Sequence, residues 1–216
     1  MSENMGRYID HTLLKPEATR KDIIQLCREA IENRFYSVCI NPSYLITAVK
    51  ELEGSMVKVS VVVGFPLGAS TTAAKAFEAA EAVAGGAEEV DMVLHIGALK
   101  GREEQYVIDD ITAVVEAVKG KTVKVIIETG LLTEEEKVLA CRLVKQAGAG
   151  FVKNSTGFGP GGASIADIQL MREVVGHELG VKASAGVRTS KEVRAMIEAG
   201  ANRIGTSSGV NIVAGK

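Results

Sequence analysis

Phe151-Val152-Lys153-Asn154-Ser155-Thr156-Gly157-Phe158-Gly159-Pro160-Gly161-Gly162-Ala163-Ser164 reads as a strand that carries a lysine, a glycine-rich loop, and the serine that caps a following helix. An ammonium group among inward-facing apolar side chains loses solvation, so the pKa of Lys153 is expected to fall and part of the population to be the neutral, nucleophilic amine. In the loop, the missing side chains at Gly157, Gly159, Gly161 and Gly162 let backbone N–H groups approach an anion, as does the helix start at Ser164. Simpler readings exist for each half: strand-end lysines reach solvent and glycine-rich loops are turns. Gly157-x-Gly159-x-x-Gly162 also satisfies a dinucleotide fingerprint, with Glu178 placed for a ribose. Against it, Pro160 removes a backbone donor, and the motif sits late in the chain rather than in an opening βαβ unit.

Outward from this unit the same alternation covers the chain. Strands are predicted at 8–14, 37–40, 57–64, 89–95, 123–129, 150–155, 181–185 and 203–206. Helices are predicted near 19–33, 42–52, 70–84, 103–119, 133–147, 164–176 and 189–199. Thr133 with Glu136, Ser164 with Asp167 and Thr189 with Glu192 mark helix starts. Three helices end in Gly-Ala and pass directly to a strand, at Gly86, Gly148 and Gly200. The recurrence predicts one α/β domain over residues 1–216, a compact (β/α)8 TIM barrel with an incomplete last helix. An open doubly wound sheet is the alternative, because eight strands in sequence do not prove closure.

A chain of 216 residues, 46% hydrophobic, suffices for one full core. A net charge of −2 gives no reason to expect nucleic acid or an anionic membrane as partner. Cys27, Cys39 and Cys141 are scattered and odd in number, which suits a reducing compartment and no metal framework. No apolar run reaches membrane-spanning length, and Met1-Ser2-Glu3-Asn4 lacks the basic and apolar parts of a signal peptide, so a cytoplasmic location is expected.

In such a barrel, polar residues near the C-terminal ends of strands are the site candidates. Strand parity puts Phe151, Lys153 and Ser155 on one face, and Asp91, Val93 and His95 on one face. Asp91 inside an apolar strand needs a cation, either as a structural ion pair or as part of a site. Lys182, Lys58 and Lys124 have nearly the same local context, and the default for all three is a solvated lysine at a strand start. Asp10, Thr12 and Leu14 share a face that either lines the barrel mouth or closes its lower layers. Cys39 reads as packing rather than nucleophile. Glu128 is expected as a charge partner for a lysine, and His95 and His177 as structural or exposed. The exits of the last two strands, Ser184 to Arg188 and Gly205-Thr206-Ser207-Ser208-Gly209, are where such barrels bind phosphate.

Taken in order, Asp10-His11-Thr12-Leu13-Leu14, Val62-Val63-Gly64-Phe65-Pro66-Leu67-Gly68, Glu89-Val90-Asp91-Met92-Val93, Ile126-Ile127-Glu128-Thr129, Phe151-Val152-Lys153 and Val181-Lys182-Ala183-Ser184 resemble the 2-deoxy-D-ribose-5-phosphate aldolase family, class I aldolases of (β/α)8 fold. The resemblance implies reversible cleavage of deoxyribose 5-phosphate to glyceraldehyde 3-phosphate and acetaldehyde, in deoxyribose phosphate catabolism. It implies Lys153 as Schiff-base nucleophile, Lys182 as the second active-site lysine, which perturbs the pKa of Lys153 and shares in proton transfer, and Asp91 as proton donor and acceptor. Substrate contacts are implied for Asp10, Thr12, Cys39, Thr156, Gly157, Gly186, Arg188, Gly205, Ser207 and Ser208. It implies no cofactor or metal, and a homodimer or homotetramer.

Three departures accompany the match. Asn154 replaces the threonine common after the nucleophile and by parity faces away from Lys153, so little effect on chemistry is expected. Ala185 replaces a second glycine, at a cost of about 1 kcal/mol if its φ is positive. The sequence stops at Lys216 without the tyrosine-ended tail of some members, so a slower or more permissive enzyme is expected if that tail closes the site. The rival functions are a phosphosugar isomerase or epimerase using Asp91 as base, another class I aldolase, and a phosphosugar-binding barrel without catalysis.

Overall fold

A computed structural model describes residues 5–215; the terminal residues Met1–Asn4, on which the absence of a signal peptide was read, and Lys216 lie outside it. Eight parallel strands run β1 (Ile9–Leu13), β2 (Ser37–Ile40), β3 (Lys58–Val63), β4 (Glu89–Val93), β5 (Thr122–Ile126), β6 (Phe151–Lys153), β7 (Gly180–Ser184) and β8 (Arg203–Thr206). They close into a barrel because β8 returns to β1, pairing Ile204 with Ile9 and Gly205 with Asp10. Closure excludes the open doubly wound sheet.

The helices are α1 (Arg20–Glu32), α2 (Leu45–Glu51), α3 (Thr72–Ala84), α4 (Ile96–Lys100), α5 (Glu104–Ala117), α6 (Glu134–Gln146), α7 (Ile165–Val175), α8 (Ser190–Glu198) and α9 (Gly209–Val213). Thr133 with Glu136 and Thr189 with Glu192 form reciprocal capping boxes, and Thr19 with Asp22 forms a third. At α7 only half of the motif forms: Ser164 accepts from Asp167 N, while the Asp167 carboxylate takes Lys137 of α6 at 2.6 Å. Gly86, Gly148 and Gly200 have φ of +106°, +78° and +112°, so each Gly-Ala exit uses the left-handed backbone that ends a helix.

Three short elements escaped the sequence pattern, the first a 3-10 turn at Met5–Tyr8 ahead of β1. Helix α4 is held by His95, whose Nδ1 accepts from Ala98 N at 3.1 Å. A further 3-10 turn, Thr129–Leu131, follows Glu128, which stands at φ +55°. The predicted strands 89–95 and 123–129 run two and three residues past the observed ends, Val93 and Ile126, because the chain leaves the sheet there to enter α4 and, through the left-handed Glu128, the 3-10 turn.

The apolar core lies between barrel and helices. Outward strand residues such as Val61, Val90, Val125, Val152, Val181 and Ile204 pack under helix residues such as Ile23, Ile111, Val144, Ile168 and Val193. Inside the barrel the content is mainly polar, with a small separate apolar cluster of Leu14, Cys39 and Val62 against Phe65. Among the described residues no helix is long and apolar enough to cross a membrane.

Candidate active site

Inward positions on six strands bring Asp10, Glu89, Asp91, Lys124, Lys153, Lys182 and Arg203 together, each at most 5% exposed. Four cations thus share three carboxylates in the barrel interior. Asp91 is the hub. Its Oδ2 lies 2.8 Å from both Lys153 Nζ and Lys182 Nζ, and its Oδ1 lies 2.7 Å from Lys124 Nζ. Ser60 Oγ also donates to Oδ1 at 3.1 Å. Lys182 is further held by Asp10 Oδ2 at 2.5 Å, and Lys124 by Glu89 Oε2 at 2.7 Å. Below them Arg203 Nη1 bridges Asp10 Oδ1 at 2.8 Å and Glu89 Oε2 at 3.2 Å, and its guanidinium lies over the Tyr36 ring.

The electrostatics follow from this count. Burial by itself raises a carboxyl pKa, but at Asp91 the charges of Lys124, Lys153 and Lys182 outweigh it and hold the group well below the usual range. Asp10 is lowered in the same way, against burial, by Lys182, Arg203 and Lys124. For Lys182 burial pushes down, and Asp10 and Asp91 more than reverse it, so its ammonium is stabilised. Burial and then the Asp91 charge push the Cys39 thiol up, in keeping with a packing role.

Above the cluster opens a cavity of about 430 Å³ at the C-terminal ends of β1, β6, β7 and β8. Lys153 stands on its wall together with Thr12, Thr156, Gly157, Phe158, Ser184, Ala185, Gly186, Arg188, Gly205, Ser207 and Ser208. The lining holds three cationic side chains, Lys15, Lys153 and Arg188, and no carboxylate. Asp91, Lys182, Asp10 and Cys39 do not line it; they lie beneath, and only Lys153 of the ion cluster reaches the open space.

Several expectations change. The surroundings of Lys153 are carboxylate-bearing rather than apolar, because closure brings β4 opposite β6 and β7. Lys182 meets Lys153 through the shared Asp91 oxygen rather than as a bare neighbouring charge. Lys124 and Lys182 are fully buried, not solvated, whereas Lys58 keeps a half-exposed side chain against Tyr36. Glu128 does not pair with a lysine: it is buried and accepts from both the backbone N and the hydroxyl of Thr156. Asn154 faces away from the cluster, but its Oδ1 accepts from Ser184 N at 2.7 Å and so ties the β6 exit to β7. Ala185 does take positive φ, at +68°. Ser208 opens α9 without a side-chain cap, leaving its hydroxyl outside that helix. Glu178, the ribose partner of the dinucleotide fingerprint, is exposed and bonded to Lys145 at 2.6 Å.

Lys124, Glu89, Arg203 and Ser60 were missed as cluster members, whereas Ser184, marked at the polar exit of β7, does stand on the cavity wall. Parity offered a partial signal, since Glu89 shares a face with Asp91, and Arg203 with Gly205. For Lys124 no local signal existed: its burial comes from pairing with Asp91 across β4 and β5.

A closed parallel barrel with a lysine at the open end of its strands, backed by a buried lysine–carboxylate network, is the layout of a lysine-dependent barrel enzyme. The chain belongs to the DeoC/LacD family of aldolases, whose family model matches residues 5–215. It is 57% identical to a deoxyribose-phosphate aldolase of Bdellovibrio bacteriovorus over 98% of this chain and 96% of that protein. It is 59% identical to one of Thermotoga maritima over 99% of this chain and 86% of the relative. A tetrameric deoxyribose phosphate aldolase from Aeropyrum pernix, 32% identical, superposes with a TM-score of 0.92 over 99% of this chain and 92% of the other.

Proposed function

We propose that this chain is a class I aldolase that reversibly cleaves 2-deoxy-D-ribose 5-phosphate to D-glyceraldehyde 3-phosphate and acetaldehyde. The observation that carries the mechanism is the position of Lys153 Nζ, on the cavity wall and 2.8 Å from an Asp91 oxygen shared with Lys182. The amine attacks C1 of the open-chain sugar, and loss of water gives an iminium. That cation lies beside the Asp91 carboxylate, which pairs with it. The C2–C3 bonding pair then flows into the iminium to form an enamine, while the C3 hydroxyl gives up its proton and becomes the aldehyde of the departing triose phosphate. Asp91, ionised at rest, is the acceptor end of the relay and Lys182, held protonated, is the donor end. Protonation of the enamine carbon and hydrolysis release acetaldehyde and Lys153.

The phosphate end falls on Gly157, Gly186, Arg188, Gly205, Ser207 and Ser208, where a cavity without carboxylates favours an anion. Thr12 and Thr156 shape the cavity wall between the two ends of the substrate, and Asp10 acts from below through Lys182. We further infer a single domain, a cytoplasmic setting and a homodimer or homotetramer; the tetrameric relative supports the oligomer.

Incubation with acetaldehyde and sodium cyanoborohydride, followed by peptide mass spectrometry, tests the reading. An ethyl group on Lys153 that is absent from Lys153→Ala supports it. No adduct, or one spread over surface lysines, sinks it.

A further inference from the structure

The cavity wall carries one buried hydroxyl that the protein leaves unused. Thr206 Oγ1 donates to Val187 O at 2.7 Å and accepts from Ser208 N, and Thr156 Oγ1 is engaged by Glu128, Phe158 N and Gly159 N. Half-buried Thr12 donates to Asp10 O at 2.8 Å. Ser184, 5% exposed, has a hydroxyl with no hydrogen-bond partner, the one such buried hydroxyl among the described residues. A buried polar group left unpaired costs free energy, so its retention calls for a partner absent from the free protein.

The position of Ser184 says what that partner is. It shares the inward face of β7 with Lys182, two residues nearer the phosphate end, and its neighbour across β8 is Gly205. A Cβ on Gly205 would collide with Ser184 Oγ and come within 3.0 Å of Lys182 Cε, so the hydroxyl lies beside the Lys182 stem in space that a larger residue would take. Its backbone N is fixed by Asn154, the residue after the nucleophile. Ser184 therefore stands between the amine end of the cavity and the Gly186, Ser207 and Ser208 end.

Resting on the aldolase reading above, we propose that Ser184 is a specificity-determining residue that hydrogen-bonds the C4 hydroxyl of the sugar phosphate, which is C2 of the triose phosphate acceptor. The C3 hydroxyl, one carbon nearer the iminium, belongs to the Asp91 and Lys182 relay; the next hydroxyl toward phosphate meets Ser184 after a turn about its χ1. A site that hydrogen-bonds a substrate hydroxyl rejects the analogue lacking it, because its own polar group is then left buried and unpaired.

The experiment compares wild type with Ser184→Ala in the synthetic direction, with acetaldehyde as donor and either glyceraldehyde 3-phosphate or its 2-deoxy analogue, 3-oxopropyl phosphate, as acceptor. The ratio of the two kcat/KM values should fall by about 10-fold or more in the variant, through loss of activity on the hydroxylated acceptor. The melting temperature should stay at or above that of wild type, because no internal bond is removed. An unchanged ratio, or an equal fall for both acceptors, overturns the proposal. A clear loss of stability also overturns it, by showing an internal partner for the hydroxyl. Acetaldehyde trapping separates the two levels: wild type labelled on Lys153 with an unchanged ratio rejects Ser184 alone, whereas no label on Lys153 rejects the aldolase reading.

Discussion

Two buried lysine–carboxylate systems occupy this molecule, and their difference separates support from chemistry. Between α3 and α5, Lys75 and Asp110 form a closed pair at 2.6 Å, both fully buried. Lys75 also donates to Val93 O at 3.0 Å and Thr72 Oγ1 to Asp110 at 2.9 Å, so charge and hydrogen bonds balance one to one. Inside the barrel four cations share three carboxylates, and one of the cations opens on a cavity. A balanced pair fixes two helices to the end of β4. A network with an excess cation and a shared oxygen can pass a proton and still keep partners for those that remain.

The sharpest break of this comparison is Lys153→Ala. Removal of Lys153, the nucleophile proposed above, should cut kcat by about 10⁴-fold or more, while the rest of the cluster keeps the protein folded. Steady-state cleavage of deoxyribose 5-phosphate, with circular dichroism to check folding, reads both. Retained turnover would assign the chemistry elsewhere.

Lys75→Met should do the reverse. Leaving Asp110 buried and unpaired should cost about 3–5 kcal/mol in urea unfolding, yet kcat per folded molecule should stay near wild type. Lys75→Met with Asp110→Leu should recover most of that stability. If kcat falls in the double variant, the two regions are not separable as argued.

Asp91→Asn probes the shared oxygen. With Asp91 as the proposed proton acceptor, its loss should lower kcat by about 10²–10⁴-fold, with KM for the phosphorylated substrate changing much less because Asp91 does not line the cavity. A mainly KM effect would make Asp91 a binding rather than a relay group.

The pH dependence has a defined sign. Asp91 and Asp10 are lowered below the unfolded value of about 3.9, so their stabilisation is complete above it and is lost as pH falls through the folded values. Lys124 and Lys182 are raised above about 10.4, so theirs is complete below that pH and is lost as pH rises through the folded values. Urea unfolding should therefore show no contribution of these four groups to pH dependence between about pH 5 and 9. The comparison of wild type with Asp91→Asn isolates it, and a difference that varies within that window would contradict the assigned charges.

The smallest effect is at Ala185. Its φ of +68° costs about 1–2 kcal/mol, only partly offset by the extra chain entropy of glycine, so Ala185→Gly should melt slightly higher. A lower melting temperature would show that packing of the Ala185 methyl outweighs the backbone strain.

How much was readable depended on range. The Gly-Ala exits and capping pairs are local, and the helices they bound lie within a few residues of their predicted ends. Lys153 and Asp91 were legible as charges set in apolar strands, and Ala185 because its departure fell at a glycine position. Lys124 was not, since its local sequence matches that of Lys58, which stays half exposed. Glu128 was assigned the wrong partner because the left-handed turn that aims it at Thr156 leaves no periodic trace.

The sequence by itself determined the eight βα units, their order and the residue types available at the strand ends, because strand parity, caps and glycine exits act over a few residues. Only the tertiary structure decided that β8 returns to β1, that Arg203 reaches Asp10 across 193 positions, that three lysines converge on one carboxylate, and that Ser184 is left without a partner. Burial and pairing depend on which strands become neighbours, and that is fixed by closing the whole barrel rather than by any one segment of it.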